Sequence, residues 1–219
     1  MLACTDIFGV TIFIYTLMSR LYYRCLEFYY RRSAPEKNME KRFARIVLVI
    51  LGLLVAIIVT ANYVLLQHPM SQVLKEDARN DGIQVFTHFK YFVDPTTLVY
   101  DLRSVSGESS PMDVTRVLLK YAERQQDSSF STIELSHQGT GKFLLQGDYF
   151  KTLGKEFKQQ NPAYTLRTLP ENILNIDGSA AFGTWTGGML GVFSKQLEDF
   201  SHWHREWYIS DLTADSTTR

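Results

Sequence analysis

Residues 46–66 read IVLVILGLLVAIIVTANYVLL, a run without a charge in which Asn62 is the one strongly polar side chain. About 20 apolar residues at 1.5 Å rise cross a hydrocarbon core of roughly 30 Å, so this run predicts a transmembrane helix. A soluble helix apolar on every side needs a large surrounding shell, which a chain of 219 residues has little material to build. Gln67, His68 and Pro69 close the run, and Tyr63 falls near its far end, where aromatic rings favour the membrane interface.

The flanks set the orientation. Residues 1–66 hold eight basic side chains, all between Arg20 and Arg45, against four acidic ones. Beyond the run the first acids, Glu76 and Asp77, arrive together with Lys75 and Arg79. The excess of positive charge stays on the cytoplasmic side, which places residues 20–45 inside and residues 67–219 outside. A cleaved signal peptide is the competing reading. The run is too long for one, and YVLLQHP lacks the small residues a peptidase prefers.

Thirty-eight residues precede Met39. Residues 7–18, IFGVTIFIYTLM, are apolar over a dozen positions, a length that suits an interfacial or re-entrant segment. LYYRCLEFYYRR follows, with paired tyrosines and arginines suited to a headgroup boundary. On the competing reading translation starts at Met39 and MEKRFARIVLVI is the N-terminus. Either way the domain after the span stays outside. Cys4 is no lipoprotein attachment site, because only three residues precede it.

The whole chain has 23 basic and 23 acidic residues, leaving the part after residue 66 with fifteen basic against nineteen acidic. A mildly acidic domain is repelled by phosphate backbones, so nucleic acid is not expected as a partner. Both cysteines, Cys4 and Cys25, precede the span, which leaves the outer domain without a disulfide or a thiolate metal site.

Residues 71–80 read as a polar helical stalk ended by Gly82, and residues 83–93 as a strand with Val85, Thr87, Phe89 and Tyr91 on one face. DPTT is the expected turn into a second strand over residues 98–105. Ser110, Pro111 and Asp113 form a helix-start signature, and Val114, Val117, Leu118, Tyr121 and Ala122 follow at helical spacing. Two β-rich runs around HQGTG predict a hairpin. Asp148 is placed to cap a helix bearing Phe150, Leu153 and Phe157, AYTLRTL reads as a fifth strand, and residues 170–188 as a loop. A last helix over residues 189–209 carries the stripe Leu190, Phe193, Leu197, Phe200, His204 and Trp207. The expected fold is α+β: one transmembrane helix, then a two-layer domain of four to five mainly antiparallel strands and three helices. Its divisions are an extension over residues 1–38, the basic flank and anchor over 39–66, a stalk over 67–82 and the domain over 83–219.

Chemistry-bearing motifs are sparse. In EDFSHWHREW, Glu198 and His202 share a helix face, but the histidine spacing of a zinc protease is missing and His204 points elsewhere. A core His204 beside a surface Glu198–His202 pair is the expectation, with no metal. GTWTGGMLG, residues 183–191, has the glycines of an anion-holding loop at a helix start, with Gly187 and Gly188 as its candidate ligand-binding positions. It lacks the Lys-Ser/Thr of a phosphate loop, so the expected reading is a flexible loop, then close helix packing at Gly187 and Gly191, with anion binding as the alternative. No G-x-S-x-G is present, and Ser136-His137 form a triad only on paper.

These readings converge on a single-pass inner-membrane protein with its N-terminus cytoplasmic and a non-catalytic interaction or assembly domain in the periplasm or outside the cell. The absence of N-x-Ser/Thr acceptors suits a bacterial periplasm. Its expected partners are the lipid bilayer and a protein, either another chain or a second copy, with no cofactor. The rival functions are an anchored hydrolase using His202 and His204, and a small-ligand sensor using the glycine loop with Glu198 and His202.

Overall fold

The computed structural model describes residues 39–157 and 167–217, with Arg20, Arg24 and Thr165. The interfacial segment expected over residues 7–18 lies outside the described residues. The chain divides into two compact units, Met1–Leu53 and Leu54–Arg219.

Helix α1, Met39–Asn62, carries the apolar run. Among the described residues one helix is long and apolar enough to cross a membrane, running from Lys41 to Lys75, and none of its most apolar stretch is buried. The helix does not stop at the end of that stretch. A π-turn, Tyr63–Gln67, leads directly into α2, His68–Lys75.

Over residues 71–80, expected as a polar stalk, the α-helix ends at Lys75 and a 3-10 turn follows at Ala78–Asn80, while Met70 and Val73 are fully buried in the domain core. The two apolar side chains three apart, which share one helix face, are what place α2 in the core.

The sheet has five strands in chain order: β1 Ile83–Lys90, β2 Asp94–Val105, β3 Thr132–His137, β4 Thr140–Gln146 and β5 Ile173–Leu174. β1–β2, β3–β4 and β4–β5 pair antiparallel, whereas β2–β3 pair parallel. Helix α3, Pro111–Arg124, connects that parallel pair, and a parallel pair requires a crossover of this kind. The sheet is therefore mixed.

The register Leu98–Ile133 and Tyr100–Leu135 across β2–β3 sets these side chains on one face, with Val85, Thr87, Phe143 and Leu145 from the neighbouring strands. All eight are buried. On the reverse face Arg103 lies 5.6 Å over the Phe86 ring and Lys90 pairs with Glu134 at 2.9 Å.

Helix α3 begins as its sequence predicts. Ser110 Oγ accepts from the Asp113 backbone N–H, the Asp113 carboxylate accepts from the Ser110 N–H, and Pro111 occupies the first turn. Its stripe of Val114, Val117, Leu118, Tyr121 and Ala122 is completely buried. Helix α4, Gly147–Glu156, follows β4 without a break, and its N-cap is Gln146, not Asp148. It packs so closely on α3 that a Cβ on Gly154 would lie 2.2 Å from the Ala122 carbonyl oxygen.

Three local expectations are corrected. The turn after β1 is made by residues 91–93, and DPTT is instead the start of β2. Of AYTLRTL, the described Thr165, Arg167 and Thr168 are helical, and the fifth strand is Ile173–Leu174, from the stretch read as a loop. With α2 in the core, four helices accompany the sheet in place of three: α2, α3, α4 and α5, Met189–His204. A second π-turn, Arg205–Ile209, extends α5 into α6, Ser210–Thr217.

Only the C-terminal half of the expected stripe is covered. Phe200, Trp203, His204, Trp207 and Tyr208 are buried, whereas Leu190, Phe193 and Leu197 are exposed. Trp203 and Trp207 stack with centroids 5.3 Å apart, and the Trp207 indole donates to the Ser136 carbonyl at 3.1 Å.

Candidate functional site

The residues singled out around α5 do not form one site. Gly187 has φ +136° and lies in the exposed loop before α5, and Gly188 is the N-cap of that helix. A Cβ at Gly187, Gly188 or Gly191 would meet nothing within 4 Å, so no close backbone approach explains them. Glu198 pairs with Lys195 at 2.7 Å, which holds its carboxyl below the usual range. His202 pairs with Glu206 at 3.3 Å in place of the expected Glu198. Trp185 folds over this face, its indole donating to Asp199 at 2.5 Å and its ring lying 5.7 Å from the Lys195 ammonium.

His204 is a core residue. Thr115 Oγ1 donates its one proton to the Pro111 carbonyl at 3.0 Å, so it accepts from His204 Nε2–H at 2.9 Å. That assigns the neutral imidazole with a bare Nδ1, which is buried without a hydrogen-bond partner. Burial pushes the imidazole down to about 3, outweighing the position near the C-terminal end of α5, which favours positive charge. Among the described residues no group of three His, Cys, Asp or Glu side chains is placed to hold a metal.

A second histidine makes a carboxylate pair that sequence spacing did not reveal. His137 Nδ1 lies 2.9 Å from Asp211 Oδ2, and Lys142 Nζ lies 2.9 Å from the same oxygen. The His137 and Lys142 bonds hold the Asp211 carboxyl below its ordinary range. A histidine–carboxylate pair is part of a hydrolytic triad, but His137 Nε2 is buried with no partner, and the neighbouring Ser136 hydroxyl donates to Glu134 at 3.2 Å. No nucleophile completes it among the described residues. The pair ties α6 to the sheet.

A polar cluster joins the end of the apolar helix to β1. Asn62 donates to the Phe92 carbonyl at 2.8 Å and to the Ile58 carbonyl at 2.9 Å, and its oxygen accepts from the Phe89 N–H at 2.8 Å. Gln67 accepts from the Thr87 N–H at 2.8 Å and donates to the Val85 carbonyl at 3.3 Å. β1 is an edge strand, and an edge exposes unpaired backbone groups. Two helix amides cover this one.

The π-turn makes that possible. Five residues along an α-helix rotate a side chain about 140° from its starting face, whereas the wider π-turn, with i→i+5 bonds, leaves residues five apart on one face. It also frees carbonyls, and α3 supplies donors to them: Gln125 to Leu65 at 2.9 Å and Tyr121 to Leu66 at 3.3 Å. Beside the junction is a cleft of about 240 Å³ lined by Leu65, Leu66, Phe89, Pro95, Gln125, Ser128, Ser129 and Phe130.

Sequence reading noticed Asn62 as an oddity in the span but missed Gln67, Phe92 and Asp211. An amide in an apolar run is a usable signal; the other three depend on contacts distant in the chain. No protein-family model, curated protein or solved structure matches this chain.

Proposed function

We propose that this is a single-pass membrane protein, N-terminus cytoplasmic, whose α+β domain stands in the periplasm or outside the cell and serves interaction or assembly and not catalysis. The observation that carries the interaction reading is the exposed half of the α5 stripe. Leu190 is 82% exposed, with Phe193 and Leu197 beside it on a helix whose other half is locked by two buried tryptophans. An apolar stripe on a rigid helix suits a partner helix or a second copy of the chain. The uncovered apolar surface of α1 supports the anchor reading, and the basic flank at Lys41, Arg42 and Arg45 supports the orientation.

Photo-crosslinking from Leu190 and Phe193 in intact membranes tests the interface. A discrete adduct that disappears in Leu197→Glu is expected, and adducts to lipid alone remove the assembly reading. A C-terminal phosphatase fusion tests orientation: activity is expected, and cytoplasm-only fluorescence of a matching fusion reverses it.

A further inference from the structure

We propose that the β1–β2 hairpin tip, Tyr91, Phe92 and Val93, is a second membrane-contacting element that dips into the outer interface of the bilayer beside the protein's own anchor. The inference rests on reading α1 as a membrane span.

Position comes first. Asn62 grips the hairpin through both the Phe89 N–H and the Phe92 carbonyl, so the tip lies against the helix at residue 62. A hydrocarbon core of roughly 30 Å takes about 20 helical residues. Counted from Ile46, the first residue after the basic flank, that length reaches Leu65. Asn62 precedes it by three residues, about 4.5 Å of rise. A span ended before Asn62 is too short to cross, and a span long enough to cross carries the hairpin tip down with it.

The surface there matches such a depth. Tyr91, Phe92 and Val93 are 78%, 43% and 61% exposed, three consecutive apolar side chains at a turn. On the helix just beyond Asn62, which holds the tip, Tyr63, Val64 and Leu65 are likewise exposed apolar side chains. Lys90 stands at the rim of the tip, 5.7 Å from the Tyr91 ring. Its ammonium is paired with Glu134, so the anchor character rests on the tyrosine and phenylalanine rings.

The backbone gives an independent observation. Tyr91 and Phe92 have φ +54° and +65°, left-handed values that a tight hairpin turn ordinarily assigns to Asn and Gly. Bulky aromatics at such φ values oppose folding. Phe92 is nevertheless held in place, stacked on His88 at 4.6 Å and 12°. Tyr91, the more exposed of the two rings, gains its compensation by insertion into lipid.

The test uses full-length protein in a Cys4→Ser, Cys25→Ser background, reconstituted in vesicles of phosphatidylcholine with one quarter phosphatidylglycerol. A polarity-sensitive fluorophore is attached in turn to Tyr91→Cys, Val59→Cys and Glu108→Cys. The expected result is blue-shifted emission at position 91, lost to a nitroxide carried high on the acyl chain. Position 59 should be quenched by lipid, and position 108 should remain aqueous. A quenched position 59 with an aqueous position 91 overturns the hairpin proposal and leaves the span standing. An aqueous position 59 removes the span itself, and the proposal with it. Blue-shifted emission at 91 that no lipid nitroxide quenches means protein covers the tip, which also overturns it. A Tyr91→Asn, Phe92→Gly variant should fold with a raised melting temperature yet lose lipid quenching of a fluorophore at Val93→Cys; retained quenching argues against the aromatic tip.

Discussion

Asn62 and Phe92 are thirty residues apart in the chain and joined by a 2.8 Å hydrogen bond from side-chain amide to backbone carbonyl. Because the same amide also accepts from the Phe89 N–H, Asn62→Leu strips partners from two backbone groups at once. Leaving buried donors and acceptors unpaired costs about 1–3 kcal/mol. The variant should unfold at lower denaturant than wild type in mild detergent, followed by the fluorescence of Trp203 and Trp207. Asn62→Gln should not restore stability, since the longer side chain cannot keep both bonds. An unchanged midpoint removes the structural role assigned to this junction.

His204 gives a pH dependence of defined sign. Burial penalises the charged ring and holds its folded value at about 3, well below the ordinary imidazole range. The unfolded chain therefore binds the proton first as pH falls. The stabilising contribution is complete above about pH 6.5 and declines toward pH 3, by about 1.4 kcal/mol per pH unit. His204→Leu should flatten stability between pH 6.5 and 4.5, whereas His204→Asp should destabilise by roughly 1–3 kcal/mol or more. Equal slopes for wild type and His204→Leu would show that the imidazole is not buried neutral.

Periodicity made α3 and the buried half of α5 legible, including the placement of His204 among apolar neighbours. Local turn chemistry did the same for the β3–β4 hairpin, whose Gln138 and Gly139 both have positive φ. The β1–β2 turn was illegible for the same physical reason that it draws notice. DPTT has the composition of a turn and YFV that of a strand, yet Asn62 and the helix beside it place the turn at residues 91–93. Sequence spacing also assigned Glu198 to His202, while a competing lysine at position 195 and an acid at 206 took each partner instead. Single-residue features such as Gly187 mark unusual backbone, not chemistry.

The glycines divide sharply by surroundings. Gly154→Ala drives a Cβ into the backbone carbonyl of Ala122, and overpacking of this kind costs about 1–3 kcal/mol. Gly191 sits in the first turn of α5 with nothing within 4 Å of an added Cβ, so Gly191→Ala should be neutral or stabilise by up to about 1 kcal/mol. Gly187→Leu should cost about 1 kcal/mol or more through its φ of +136° alone, without any clash. Melting temperatures of the three variants in one detergent order them; a Gly191→Ala loss as large as that of Gly154→Ala contradicts the open surroundings of α5.

The Asp211 carboxylate ties α6 to the sheet through His137 and Lys142. The His137 and Lys142 bonds hold it below the ordinary carboxylate range, so the tie is fully made above the unfolded carboxylate range and is lost as pH falls through the depressed folded value. The side chain is 38% exposed, and solvent screening keeps the contribution within about 1 kcal/mol. Asp211→Asn should therefore leave global unfolding nearly unchanged while releasing the C-terminal turns. Amide exchange is the discriminating measurement: residues 210–217 should lose protection, and Trp207, whose indole bond to Ser136 is independent of Asp211, should keep its own. Loss of protection spreading through α5 would mean that the tie holds the core and not only the last helix.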